Sequence, residues 1–376
     1  MACYHKAEMQ LAEFDYDLPD KAIAQQPLQD RAGARMLLLE RSSGRIEDSL
    51  FRALPSVVKG NELLVVNNAR VIPARLYAHR AGTHAKLPGK HSPAQKGFLT
   101  SRLEVLLTRR IDSEVWEALV RPGRKVRSGE RLVFEESDLE AEVVGRGPYG
   151  VRQLRFHAGS STEISEVIGR IGHVPLPPYI RRSDGAADRE RYQTIFAKQP
   201  VAVAAPTAGL HFTPEILDQL RRKGVEIAEI TLEVGLGTFQ PIRTEHLEDH
   251  EMHSEAYEIS QNTAEAIAAA RRQGRPILAV GTTVVRTLED AAQRSLREGR
   301  PPEDIAAGRT CAEIFIRPGQ RFALVDQLLT NFHLPRSTLL VLVCAFAGRD
   351  RVLAAYRHAV FSGYRFYSYG DCMLIR

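Results

Sequence analysis

The chain has 376 residues, 44% hydrophobic and 26% charged, with no dominant low-complexity block; this allows one large core plus a smaller module and excludes global disorder. The net charge of +5 permits an anionic partner without demanding one. Cys3, Cys311, Cys344 and Cys372 form no CxxC pair, which argues against a disulfide framework or a structural zinc site and fits a reducing cytoplasm.

The first ten residues carry His5, Lys6 and Glu8 without an apolar run, and the longest apolar run, 339–347, falls well short of the roughly 20 residues of a membrane span. Neither a signal peptide nor a transmembrane helix is expected. A stretch with Phe14, Tyr16 and Leu18 is periodic but too short for a domain. Residues 61–66 read as a strand ending at Asn67 and Asn68, and 70–76 as a second strand with Pro73 at an edge or bulge.

From Val71 to Leu103 there is no Asp or Glu, whereas Arg75, Arg80, Lys86, Lys90, Lys96 and Arg102 fall there. That run is either a solvated loop or a phosphate-facing patch, and its part 81–97 reads as a flexible insertion in a turn. Short β-rich segments follow at 103–107, 115–120, 131–134, 141–144 and 151–156, separated by Gly- and Pro-containing turns. Closely spaced strands of this kind predict a small antiparallel barrel.

After Thr162, helices alternate with apolar strands. One helix is predicted from the N-cap Thr213, with Pro214 at its first position, to Gly224, followed by a strand at 225–234. A second begins at Asn262 with Glu265 placed for a capping box and ends at Gly274, leading to a strand at 276–280. A third follows the turn Gly281-Thr282-Thr283 and runs through Val284, Val285, Leu288 and Ala292; a fourth, apolar, covers about 337–347. The expected fold class is α/β: a larger mixed α/β domain from 1–70 and 157–376, with an antiparallel β-barrel inserted at 71–156.

The polar loops between these elements are the candidate sites. In the loop at 205–212, small residues let a ligand approach the backbone, with Thr207 and His211 as polar handles; a plain strand-helix turn would look the same. The segment 233–239 has the Gly235-Leu236-Gly237 core but lacks the third glycine of a dinucleotide fingerprint. His246, His250 and His253 crowd among Glu248, Asp249, Glu251 and Glu255; on a helix, His250 and His253 would share a face as a zinc pair, while acid-base work or a solvated turn fits as well. Gly281-Thr282-Thr283 with Arg286 is suited to a carboxylate or phosphate. The aromatics Tyr364, Phe366, Tyr367 and Tyr369 around Arg365 suit base stacking or a half-buried terminal strand. The rival readings are a metal-dependent hydrolase using His246, His250 and His253, and a non-catalytic RNA-binding protein using the barrel and the basic loop, against which stands the placement of most polar loops in the other domain.

Together and in this order, residues 14–19, 65–73 (VVNNARVIP), 172–180 (GHVPLPPYI), 202–212 (AVAAPTAGLHF), 234–239 (VGLGTF), 248–255, 279–286 (AVGTTVVR), 330–335 (TNFHLP) and 369–371 resemble the S-adenosylmethionine:tRNA ribosyltransferase-isomerases of queuosine biosynthesis. The resemblance spans nearly the whole chain. It implies an α/β domain carrying an inserted all-β barrel. It also implies that S-adenosylmethionine is consumed as a substrate: its ribosyl part is transferred and isomerised onto the 7-aminomethyl-7-deazaguanine at the wobble position of tRNA, with release of adenine and methionine and with no metal. By motif, Pro206, Thr207, Gly209, His211, Gly235, Gly237, Thr238, Gly281, Thr282 and Thr283 would surround S-adenosylmethionine. His211, His250, His253 and Glu255 are the proton-transfer candidates. Asn67, Asn68, Arg70, Arg286, Asn331, His333, Tyr369 and Asp371 would meet the nucleobase, sugar or an anionic group. Glu233 and Arg336 depart from the family's commoner histidine and acid, and the basic insertion is longer than usual. A cytoplasmic monomer acting on tRNA is expected.

Overall fold

The structure is a computed structural model; it describes residues 9–83, 101–124, 126–158, 163–235, 242 and 244–376. The chain divides into two compact units, one of Met1–Arg70, Pro177–Arg182 and Arg191–Arg376, the other of Val71–Leu176 and Ser183–Glu190. Residues 157–176, assigned to the larger domain by sequence, therefore group with the barrel. The reason is backbone pairing: Arg75 and His173 exchange N–H···O bonds of 3.2 and 2.8 Å, a link that periodicity does not reveal.

In chain order the strands are β1 (Arg35–Leu39), β2 (Ile46–Leu50), β3 (Leu63–Asn67), β4 (Ala69–Val71), β5 (Arg75–Thr83), β6 (Leu103–Arg110), β7 (Val115–Arg121), β8 (Glu130–Phe134), β9 (Leu139–Arg146), β10 (Val151–Ala158), β11 (Gln199–Ala202), β12 (Glu226–Leu232), β13 (Glu255–Ile259), β14 (Ile277–Val280), β15 (Gly308–Ala312), β16 (Gln327–Asn331) and β17 (Cys372–Ile375).

The larger unit is built on a nine-stranded sheet ordered β15-β13-β12-β3-β14-β16-β17-β1-β2. Its centre, β12, β3, β14 and β16, is parallel. Strand side chains alternate between faces, so Leu63 and Val65 enter one core while Leu64 and Val66 enter the other. Burial on both faces explains why β3 is a continuous apolar run instead of an alternating one. Helices cover both faces. Ile216, Leu217 and Leu220 of Pro214–Lys223 pack on one, and Val284, Val285 and Leu288 of Thr282–Arg297, with the apolar helix Thr338–Ala347, pack on the other.

The helix Pro214–Lys223 has the predicted ends: Thr213 accepts the Ile216 N–H, and Gly224 closes it at φ 101°. The helix Gln261–Arg272 starts earlier than predicted. Its N-cap is Ser260, whose hydroxyl accepts the Thr263 N–H, and Glu265 is held by the Gln261 amide at 2.8 Å instead of closing a capping box on Asn262.

In the second unit, six strands close a barrel in the order β10-β7-β6-β5-β8-β9, with every resolved pairing antiparallel. Leu103, Val105 and Leu107 alternate inward along β6. The strand expected at 70–76 is two: β4 ends at Val71 and β5 starts at Arg75. Pro73 offers no N–H for a ladder, and the tight Ala74 N–H to Ile72 O bond of 2.7 Å turns the chain there. β5 then supplies the sixth stave. Most of the basic insertion, 84–97, lies outside the described residues. Among the described residues no helix is long and apolar enough to cross a membrane.

Candidate active site

Because β3, β12, β14 and β16 are parallel, the segments leaving their C-terminal ends gather at one edge of the sheet, where α/β folds place ligands. These segments carry Asn67, Gly235, Gly281 to Thr283, and Asn331 to His333. β17 runs antiparallel to β16, so the loop 364–371 that precedes it reaches the same edge.

A cavity at this edge brings together Pro206, Thr207, Gly281, Thr282, Thr283, Asn331 and His333, residues from three separate sequence motifs. Its wall also holds Tyr179 and Tyr367, whose rings lie 4.2 Å apart at an interplanar angle of 36°. The Tyr179 hydroxyl is fixed by Ser368 Oγ at 2.7 Å. Three buried polar atoms here have no protein partner: Thr283 Oγ1, Asn331 Oδ1 and the Tyr367 hydroxyl. Leaving such groups unpaired costs about 1–3 kcal/mol each, so a native cavity that holds three is shaped for a polar ligand. Tyr367 and Arg336, both on the wall, sit at φ 72° and 55°, a left-handed conformation that side-chain-bearing residues adopt at a cost. Arg336 is held there by Asp15, its Nε donating at 2.8 Å.

Asn331 links this cavity to His211. Its Nδ2 donates to the Tyr367 carbonyl at 3.0 Å and stands 3.4 Å from His211 Nε2. Burial pushes the His211 pKa down to about 4, so the ring is neutral at neutral pH and its Nε2 accepts from the amide. His333 is also neutral, lowered by burial to about 3, and it is scaffold. Its Nε2 meets the Thr330 hydroxyl at 2.8 Å, its carbonyl accepts from the Tyr16 hydroxyl at 2.5 Å, and its N–H donates to the Tyr356 hydroxyl at 3.1 Å.

Next to Thr282 and Thr283 a second pocket contains Glu255 and Arg286, a pair that is almost fully buried. Arg286 Nη1 donates to Glu255, Nη2 to the carbonyls of His253 (2.6 Å) and Ala312 (2.9 Å), and Nε to that of Ile314 (3.2 Å). Glu255 Oε1 accepts the Gly235 N–H at 3.2 Å. The expected anion contact at Arg286 is thus occupied by the protein's own carboxylate and carbonyls. The guanidinium ties the segments 253–255 and 312–314 together, and Glu255 in turn holds the segment at Gly235.

Other predicted residues lie outside the cavity lining. Asn67 is fully engaged, its Oδ1 accepting from the N–H groups of Ala69 (3.0 Å) and Leu232 (3.1 Å) and its Nδ2 donating to the Leu232 carbonyl. Asn68 bonds Glu229 and Thr231, and Arg70 is exposed. Asp371 accepts the N–H groups of Arg35 (2.8 Å) and Arg365 (2.7 Å), a backbone clamp. Gly209 is packed so that a Cβ would approach Thr194 Cγ2 to 2.9 Å. His250 and His253 follow a short turn, Leu247–Asp249, in extended chain, so no helical face pairs them; the His250 ring packs on Phe315. Among the described residues no three His, Cys, Asp or Glu side chains are grouped to hold a metal ion. Gly237 and Thr238 lie outside the described residues. Tyr369 shares a small third pocket with His211. Tyr367 belongs to the aromatic run around Arg365 that suits base stacking in the sequence, whereas Tyr179 carries no individual signal there.

Fold and site define a mixed α/β enzyme with an inserted antiparallel barrel and a polar cavity at the carboxyl edge of its parallel strands. The family model described as "Queuosine biosynthesis protein" matches residues 11–375. Among curated relatives, the S-adenosylmethionine:tRNA ribosyltransferase-isomerase of Solibacter usitatus is 53% identical over 98% of this chain and 100% of its own. The protein of that name from Moorella thermoacetica is 48% identical with the same coverage. A crystal structure of the S-adenosylmethionine tRNA ribosyltransferase of Thermotoga maritima is 38% identical, covers 97% of this chain and superposes with a TM-score of 0.51. The chain belongs to the queuosine biosynthesis protein family and is an enzyme of the ribosyltransferase-isomerase class. The hydrolase and binding-module readings give way to that membership.

Proposed function

We propose that the protein transfers and isomerises the ribosyl moiety of S-adenosylmethionine onto the 7-aminomethyl-7-deazaguanine base at the wobble position of tRNA, forming the epoxyqueuosine nucleotide and releasing adenine and methionine. The observation that carries this reading is the cavity with Thr283 Oγ1, Asn331 Oδ1 and the Tyr367 hydroxyl buried and unpaired beside the Tyr179–Tyr367 ring pair. An aromatic wall and a few convergent polar atoms suit a nucleoside, with its flat base and hydroxyl-bearing sugar. The small residues Ala205, Ala208 and Gly281 let the ligand lie close to the backbone.

The chemistry asks for little more. The positive sulfur of S-adenosylmethionine acidifies the neighbouring 5′ carbon; a base removes a proton there and adenine departs with a proton, the tRNA amine bonds to the sugar fragment and loses a proton, and a sugar oxygen closes the epoxide as the C–S bond breaks and methionine leaves. Of the proton-transfer candidates, His211 abuts Asn331 of the cavity wall, and Glu255 lines the pocket beyond Thr283. His211 is neutral at neutral pH, and to take a proton from the substrate its Nε2 must give up the Asn331 contact. Glu255, tied to Arg286 and the Gly235 N–H, is better placed to position the segment after β12.

The test is mass spectrometry of tRNA bearing the aminomethyl-deazaguanine after incubation with protein and S-adenosylmethionine, with free adenine assayed in parallel. Gain of the epoxycyclopentyl mass with stoichiometric adenine is the expected result. Intact tRNA and no adenine, with folded protein, would overturn the reading.

A further inference from the structure

The small pocket that holds His211 and Tyr369 is lined by two guanidinium groups, Arg31 and Arg191. Both are anchored on backbone carbonyls. Arg31 Nη1 donates to those of Gln193 (2.7 Å) and Leu210 (3.3 Å), and Arg191 donates through Nη1 and Nη2 to those of Gln29 (2.8 Å) and Leu28 (2.5 Å). Arg191 Nε is buried with no partner. A third guanidinium, Arg365, donates to the Gln26 carbonyl through Nη2, while its Nη1 is likewise buried and unpartnered. Arg31 and Arg365 both act electrostatically on His211. Among the described residues neither Arg191 nor Arg365 has an ion pair; the carboxylate that bears on Arg365, Asp371, already accepts two backbone N–H groups.

Two arginines thus line the pocket beside His211 and a third, Arg365, bears electrostatically on that imidazole, with N–H donors of Arg191 and Arg365 left over. Guanidinium groups with free donors bind oxyanions with charge-assisted hydrogen bonds. The pocket adjoins the main cavity, since Ser368 lines both and the His211–Asn331 contact lies between them. We propose that this pocket seats an oxyanion of a substrate, whether the carboxylate of S-adenosylmethionine or a phosphodiester of the tRNA, while the nucleoside occupies the main cavity. This inference rests on the proposed reaction for the identity of its ligand.

The experiment compares full-length protein with Arg191→Gln and Arg365→Gln for KM of each substrate, kcat and melting temperature. Each variant is expected to raise one KM at least about tenfold, with kcat changed less and the melting temperature within a few degrees. A rise for S-adenosylmethionine, together with lost discrimination against its carboxyl methyl ester, identifies the carboxylate. A rise for tRNA, with a salt dependence of binding shallower by about one unit, identifies a phosphodiester. Unchanged KM values for both substrates, or a lower melting temperature with unaltered KM, would show that the arginines only staple the chain and would overturn the proposal. If the wild-type protein gives no turnover, the reaction reading fails, and the pocket is judged by inorganic phosphate: thermal stabilisation of wild type that both variants lose supports it, and equal or absent stabilisation refutes it.

Discussion

His211 Nε2 lies 3.4 Å from Asn331 Nδ2, two buried side chains that are 120 residues apart in sequence. The amide can only donate through that nitrogen, so the imidazole must accept, and burial keeps it unprotonated with a pKa of about 4. Asn331→Asp replaces the donor by a carboxylate, which favours the imidazolium and raises the His211 pKa. The acid limb of the kcat/KM profile should then move to higher pH, and activity near neutrality should fall about tenfold or more. A profile identical to wild type would remove His211 from the reaction.

Stability against pH follows from the same burial. His211 and His333 have folded pKa values of about 4 and 3, below the ordinary 6.5. Between 6.5 and the folded value the unfolded chain binds the extra proton. Their contribution is therefore complete above pH 6.5, declines as pH falls through that window, and is lost once the folded ring itself protonates. A shift like that of His211 is worth on the order of 3 kcal/mol. Urea melts from pH 7 to pH 4 should show a slope that is shallower in His211→Gln than in wild type.

Tyr367→Phe and Thr283→Val each delete a buried hydroxyl that has no protein partner. The fold should be indifferent, with stability changed by less than about 1 kcal/mol. Affinity for S-adenosylmethionine should nevertheless drop about five- to fiftyfold, measurable by calorimetry. Loss of stability with unchanged affinity would contradict the assignment of this cavity.

The buried pair Arg286 and Glu255 gives the opposite pattern. Removing either partner alone leaves a buried charge, and Arg286→Met or Glu255→Gln should destabilise by about 3–5 kcal/mol. The double variant should lose less than the sum of the two, which a double-mutant cycle in urea would show.

Gly370→Ala tests the loop that carries Tyr367. A Cβ at Gly370 would come within 2.4 Å of the Arg365 carbonyl oxygen, so the backbone must move. We expect about 1–3 kcal/mol of destabilisation and a larger fractional loss of turnover, because Tyr367 is bonded to Asn331 through its own carbonyl.

What the sequence determined by itself is local. Thr213, Pro214 and Gly224 delimit a helix because capping and left-handed closure involve residues only three or four positions apart, and the alternation at 103–107 announces a barrel stave for the same reason. Ordered motifs likewise made the family legible, and with it the loops around Thr207, Thr283 and Asn331. Where two local solutions competed, only packing chose. Ser260 caps its helix in place of Asn262, with Thr263 Oγ1 bonded to the Glu229 carbonyl on the neighbouring strand, and Tyr364 to Asp371 form a buried turn instead of a strand, with Tyr367 at positive φ. The tertiary structure alone decided which polar residues are spoken for. Asn67, Arg286 and Asp371 look like ligand groups in sequence, yet each has its hydrogen bonds filled by backbone or side chains brought in from distant strands. Thr283, Asn331 and Tyr367, which line one cavity, were left with unpaired atoms. Hydrogen-bond satisfaction is a sum over neighbours in space, and spacing along the chain carries no record of it.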